Sequence, residues 1–199
     1  PWTTRGDIAL TADTQSNAAD TDLVGDATNP MFLGAYDSSA GASNAVMWFR
    51  IRIGNPTVSK GIPQFRSVAL VGLDANNDGK LDVMLGVDGQ GSTTGVVLYD
   101  PGTGANTSPS TTSITNRLVA WPGNNNTLVD DAANSASGDT GGTFRYELVK
   151  ASPLDLGTNG GTDAYLTFKV PFSTLQTLLA SPGGGRLTGI PITSSTSFR

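Results

Sequence analysis

The stretch from Ala45 to Ile53, AVMWFRIRI, constrains the fold more than any other part of the chain. Met47, Phe49, Ile51 and Ile53 fall on every second position, with Trp48, Arg50 and Arg52 between them. Side chains alternate between the two faces of a strand, whereas a helix repeats every 3.6 residues or so. The segment therefore reads as a strand of an antiparallel sheet with one face in a core. The acidic residues agree. Of 17 carboxylates a single one is glutamate, Glu147, and all others are aspartate. Glutamate suits helices, whereas aspartate suits turns, caps and metal loops. With 25 glycines and 11 prolines, this chain should consist of short strands joined by turn-rich loops.

Further runs predict strands at Asp7–Thr11, Met31–Tyr36, Phe65–Leu73, Leu81–Val87, Gly95–Tyr99, Leu118–Trp121, Thr143–Lys150 and Asp163–Val170, with a final extended segment at Leu187–Phe198. Phe144, Tyr146 and Leu148 would face inward in one of them, and Ala164, Leu166, Phe168 and Val170 in another. Asp100–Ser113 reads as a linker and Pro122–Gly142 as a long surface loop. One short helix is expected near 173–179, with Ser173 as its N-cap and Leu175, Leu178 and Leu179 on one side. At 199 residues, a single domain spanning the whole chain is expected. Its fold class is all-β, an antiparallel β-sandwich, of which the jelly roll is one form.

Composition narrows the function. A net charge of −5 speaks against nucleic acid, whose phosphates it would repel. No run approaches the roughly 18 apolar residues of a membrane-spanning helix. Without cysteine there is no disulfide and no thiol nucleophile, and without histidine the commonest general base is missing. No constellation of nucleophile, base and orienting group stands out, so no enzymatic activity is expected. The chain opens at Pro1 rather than Met, which reads as a processed product that has lost a signal peptide. These features together predict an extracellular protein at a bacterial cell surface.

The strongest chemical motif is Asp74-Ala-Asn76-Asn-Asp78-Gly79-Lys80-Leu-Asp82. Oxygen-bearing side chains stand at positions 1, 3, 5 and 9 of this loop, glycine stands at 6, and the Lys80 carbonyl would serve at 7. Ca²⁺ takes six to eight oxygen ligands, and such an alternation turns every second residue toward one point. The motif resembles the calcium loops of EF-hands, dockerins and FG-GAP repeats over these nine residues. An EF-hand needs a glutamate at position 12, where this chain has Leu85. The strand-like flanks bring it nearer to FG-GAP loops, and that resemblance implies Asp74, Asn76, Asp78, Lys80 and Asp82 as ligands of one structural Ca²⁺. A propeller would need several copies, and the motif occurs once.

Three other groups carry candidate chemistry. Trp48, Arg50 and Arg52 share the outer face of the best strand, which is either covered by a second sheet, a loop or a neighbouring subunit, or is a platform of an aromatic beside cations on which a sugar could stack; Trp121 is a second candidate. Glu147, close to Lys150, could promote a Lys–Asn isopeptide crosslink, with Lys150 or Lys169 as the amine. Extended terminal segments could add to a neighbour's open sheet edge, giving a homo-oligomer or polymer. The chain as a whole resembles uncharacterised secreted bacterial proteins that pair a GDATNP segment (Gly25 to Pro30) with a WFRIRI strand (Trp48 to Ile53) and an acidic loop. Two functions compete on these grounds. One is a calcium-stabilised structural or adhesive surface protein, a filament subunit assembling by strand addition. The alternative is a carbohydrate-binding module, with a glycan as partner.

Overall fold

A computed structural model describes residues 3–4, 22–54, 57–59, 62–75, 79–90, 95–102, 117–122, 124–129, 146–151, 155–156, 161–180 and 197–198. Among the described residues the strands are β1 (Thr3–Thr4), β2 (Phe32–Asp37), β3 (Val46–Ile53), β4 (Thr57–Ser59), β5 (Ile62–Gln64), β6 (Val68–Asp74), β7 (Val83–Asp88), β8 (Gly95–Tyr99), β9 (Arg117–Pro122), β10 (Asn124–Val129), β11 (Tyr146–Lys150), β12 (Ala164–Pro171) and β13 (Ser197–Phe198), with one α-helix, α1 (Phe172–Ala180), and a 3-10 turn at Ala42–Asn44. One sheet has the order β1-β2-β3-β12-β11-β10 and the other β13-β6-β7-β8-β9, while β4 and β5 form a separate hairpin. All pairings are antiparallel except β10 with β11. The fold is an all-β sandwich.

The period-two residues of β3 meet their counterparts on β12 in register, Phe49 opposite Phe168 and Ile51 opposite Leu166. Phe49 stacks between Phe32 and Phe168, with ring centroids 6.1 and 5.3 Å away. Across from them lie Val71 and Leu73 of β6, Val83, Leu85 and Val87 of β7 and its approach, and Val96 and Leu98 of β8, in one continuous core. Such contacts bury apolar area at about 25 cal/mol per Å², which is what drives two amphipathic sheets together. Leu175 and Leu179 of α1 join this core, and the Phe172 N–H donates to the Ala45 carbonyl to fix where the helix starts.

The outer faces differ from expectation. Every residue of β7 and β8 is buried, not every second one. Met84, Val97 and Tyr99 form a second apolar cluster on the outside of their sheet, and Val149, Ala151 and Tyr165 form a third on the outside of the other. Period two therefore separates inner from outer here, not buried from exposed. Gly86, on the outer face of β7, belongs to this tight packing: a Cβ there would run into the Ala69 carbonyl oxygen.

Most strand boundaries agree with the sequence within two or three residues. The segment Pro122–Gly142, expected as a loop, contains β10, whose polar sequence suffices for a sheet edge. The β4–β5 hairpin was not expected, because Pro63 and short length obscure a strand there. The helix begins at Phe172, so Ser173 lies inside its first turn rather than at the N-cap. The Ser173 carbonyl instead accepts from Thr177 Oγ1 at 2.8 Å. The expected strand Asp7–Thr11 and most of the Asp100–Ser113 linker lie outside the described residues.

Candidate metal centre

Strands β6 and β7 are the two arms of a hairpin, paired from Val68 opposite Asp88 to Leu73 opposite Val83, and the acidic loop joins their ends. Strand–loop–strand is the context the sequence predicted. The Asp82 N–H donates to the Leu73 carbonyl at 2.7 Å and closes the hairpin mouth. Asp82 Oδ2 in turn accepts the Ala75 N–H at 2.8 Å, and Asp74 Oδ2 accepts the Gly79 N–H at 2.9 Å. One oxygen of each carboxylate thus folds the loop back on itself. Gly79 has φ 87°, a left-handed conformation that side chains resist, which explains glycine at position 6.

Asp74 is fully buried and Asp82 is 5 % exposed. Taking two carboxylates out of water in one loop carries a desolvation cost, which hydrogen bonds such as these help to offset. The donor chemistry is oxygen-only and hard, which suits Ca²⁺ over transition metals. Lys80, whose carbonyl stands at position 7 of the loop, is exposed. Asn76 and Asp78 lie outside the described residues. Among the described residues no three His, Cys, Asp or Glu side chains form a metal-binding group.

The other candidates are placed differently. Arg50 is 4 % exposed and Arg52 fully buried, so neither offers its cation to a ligand at the surface. Arg52 donates through Nε at 3.2 Å and Nη2 at 2.9 Å to Asp163 Oδ2, which also accepts the Leu156 N–H at 2.8 Å. Both guanidiniums lie over the Tyr165 ring, 5.5 and 5.7 Å from its centroid. Trp48 is half-buried, and Lys169 Nζ sits 4.9 Å from the centre of its ring, where a sugar face would have to stack. Trp121 packs against the sandwich core instead of standing in a polar loop. Of the two readings the sequence leaves open for this face, the burial of both arginines favours the covered one over the sugar platform. The Glu147 side chain is outside the described residues, and Lys150 is half-buried beside Ala151 at the end of β11.

Sequence reasoning missed two buried polar groups. Asp163 is the partner of Arg52 across 111 positions, a distance over which no local spacing gives a signal. On the opposite sheet, Asp88 Oδ2 accepts from Tyr99 at 3.1 Å and from Arg117 Nη2 at 2.8 Å. The hydrogen bond to Tyr99, together with the charge of Asp88, raises the Arg117 pKa above its ordinary value against partial burial. These three residues tie β7, β8 and β9 together on their outer face.

No helix among the described residues is long and apolar enough to cross a membrane. No family model, curated protein or solved structure matches this chain. Its chemistry is therefore read from its own residues.

Proposed function

We propose that this chain is a calcium-stabilised structural or adhesive protein of the bacterial cell surface, a non-catalytic subunit that assembles by β-strand addition. The observation that carries the reading is the burial of Asp74 and Asp82 at the mouth of the β6–β7 hairpin. Buried carboxylates in one small loop call for a counter-charge, and the alternating oxygens of Asp74, Asn76, Asp78 and Asp82 with the Lys80 carbonyl would supply a cage for Ca²⁺. Such an ion would staple two strands of the five-stranded sheet in a chain that has no cysteine to crosslink. Millimolar Ca²⁺ outside cells would keep it loaded.

Burial of Arg50 and Arg52 and the placement of Lys169 over Trp48 favour this reading over a carbohydrate-binding module. Isothermal titration of chelator-treated protein with CaCl₂ tests the ion: saturable binding lost in Asp78→Ala is expected. Sedimentation velocity over a range of concentrations, with and without residues 1–14, tests the assembly. Concentration-dependent growth abolished by the deletion is expected, and a monomer at every concentration would remove the subunit role.

A further inference from the structure

An apolar cleft of about 250 Å³ opens between Leu23, Ile51 and Ile53 on one side and Phe65 and β6 on the other. Val68, Ala69 and Leu70 all line it. Successive side chains of a strand point to opposite faces, so a cleft touched by three in a row lies along the strand's edge. The hydrogen-bonding direction of that edge follows from the register. The Ser67 carbonyl accepts the Gly89 N–H at 2.8 Å on the β7 side. Antiparallel alternation then turns the backbone groups of Ala69 and Val71 toward β7, and those of Val68, Leu70 and Gly72 away from it.

On that outward side β13 pairs only with Leu73 and Asp74. Among the described residues no strand pairs with Val68–Gly72 on that side. Val68 and Leu70, whose backbone groups face that side, are half-buried, and Gly72 beside β13 is buried.

We infer that the β6 edge from Val68 to Gly72 and the adjoining cleft form an acceptor groove for a β-strand of a second copy of this chain. This rests on the self-assembly reading above and names the surface through which it works. A row of N–H and C=O groups at every second residue is complementary to an extended backbone and to little else. The existing pairing sets the direction, because β13 runs antiparallel with Phe198 opposite Leu73. An incoming strand in the line of β13 places its inward-facing residues opposite Val71 and Ala69, at the cleft. The apolar lining selects apolar side chains at those two alternate positions. The sequence carries that spacing in Ile8 and Leu10.

Hydrogen exchange read by mass spectrometry at the Val68 and Leu70 amides, as protein concentration is raised, tests the groove. The expected result is a loss of exchange at these amides in step with assembly. Leu70→Pro removes an outward N–H and leaves the β7 ladder intact, and Val68→Lys places a charge at the edge; each should abolish assembly with the monomer still melting cooperatively. Assembly that proceeds with edge exchange unchanged, or that survives both substitutions, would overturn the groove and leave self-assembly standing. A chain monomeric at every concentration would overturn both.

Discussion

Two of the buried acidic sites in this sandwich meet different kinds of partner. Asp163 meets a formal charge: Arg52 and the Leu156 N–H converge on its Oδ2, and both side chains of the ion pair are fully buried. Asp74 and Asp82 meet backbone N–H groups of their own loop. The first site is complete as a charge pair. The second gathers two buried carboxylates in one oxygen-rich loop, a setting that suits a hard cation. The contrast also separates long-range from local design, since the ion pair joins β3 to the start of β12 while the loop closes within nine residues.

That contrast can be broken most forcefully at the ion pair. Removing one partner of a buried pair strands the other charge, so Arg52→Met or Asp163→Ala alone should cost about 3–5 kcal/mol. Replacing both with apolar residues should recover much of that loss, and urea unfolding of the single and double variants checks it. A double variant as unstable as the singles would show that the pair does more than neutralise itself.

At the loop, Asp74→Ala should abolish the Ca²⁺-dependent part of stability. That part is about 1.8 kcal/mol when free Ca²⁺ exceeds Kd some twentyfold, measured as the difference between melts in CaCl₂ and in chelator. Asp163→Ala should leave this difference intact, which separates the two sites cleanly. Gly79→Ala probes the loop backbone without touching a carboxylate. At φ 87° it should destabilise by about 1 kcal/mol and weaken Ca²⁺ binding together.

The smallest effect belongs to an exposed aspartate that has neither a buried partner nor an ion. Asp26 accepts the Asn29 and Thr28 N–H groups at 2.7 and 2.8 Å, which lowers its pKa below the ordinary 3.8. A lowered pKa in the folded state means stability present above the unfolded value and lost as pH falls through the folded one. Asp26→Asn should therefore lower the melting temperature slightly at neutral pH and flatten its fall below about pH 4, so that the two proteins converge in acid.

How much of this was legible in the sequence follows the same division. The core faces of β3 and β12 could be read because alternation is local, and so could the β6–β7 hairpin around its loop. The short helix was visible from Leu175 and Leu179, though its start is set by a hydrogen bond to Ala45 that no spacing reveals. Trp48, Arg50 and Arg52 could be placed on one face, but alternation alone left open whether that face was covered. Their burial depends on what covers the sheet and on Asp163, both distant in sequence. Trp121 reads as the end of a short strand before Pro122, but that it packs on the core follows from its pairing with Val96, which spacing does not show. Local geometry was readable, and the partners brought by the fold were not.

The central claim is that the hairpin loop from Asp74 to Asp82 holds a stabilising Ca²⁺. Thermal unfolding of the intact chain in millimolar CaCl₂ and in excess chelator tests it most directly. A melting temperature several degrees higher with Ca²⁺, as expected for roughly 1.8 kcal/mol, and a shift absent in Asp74→Ala would bear the account out. Identical melting curves in the two conditions would contradict it.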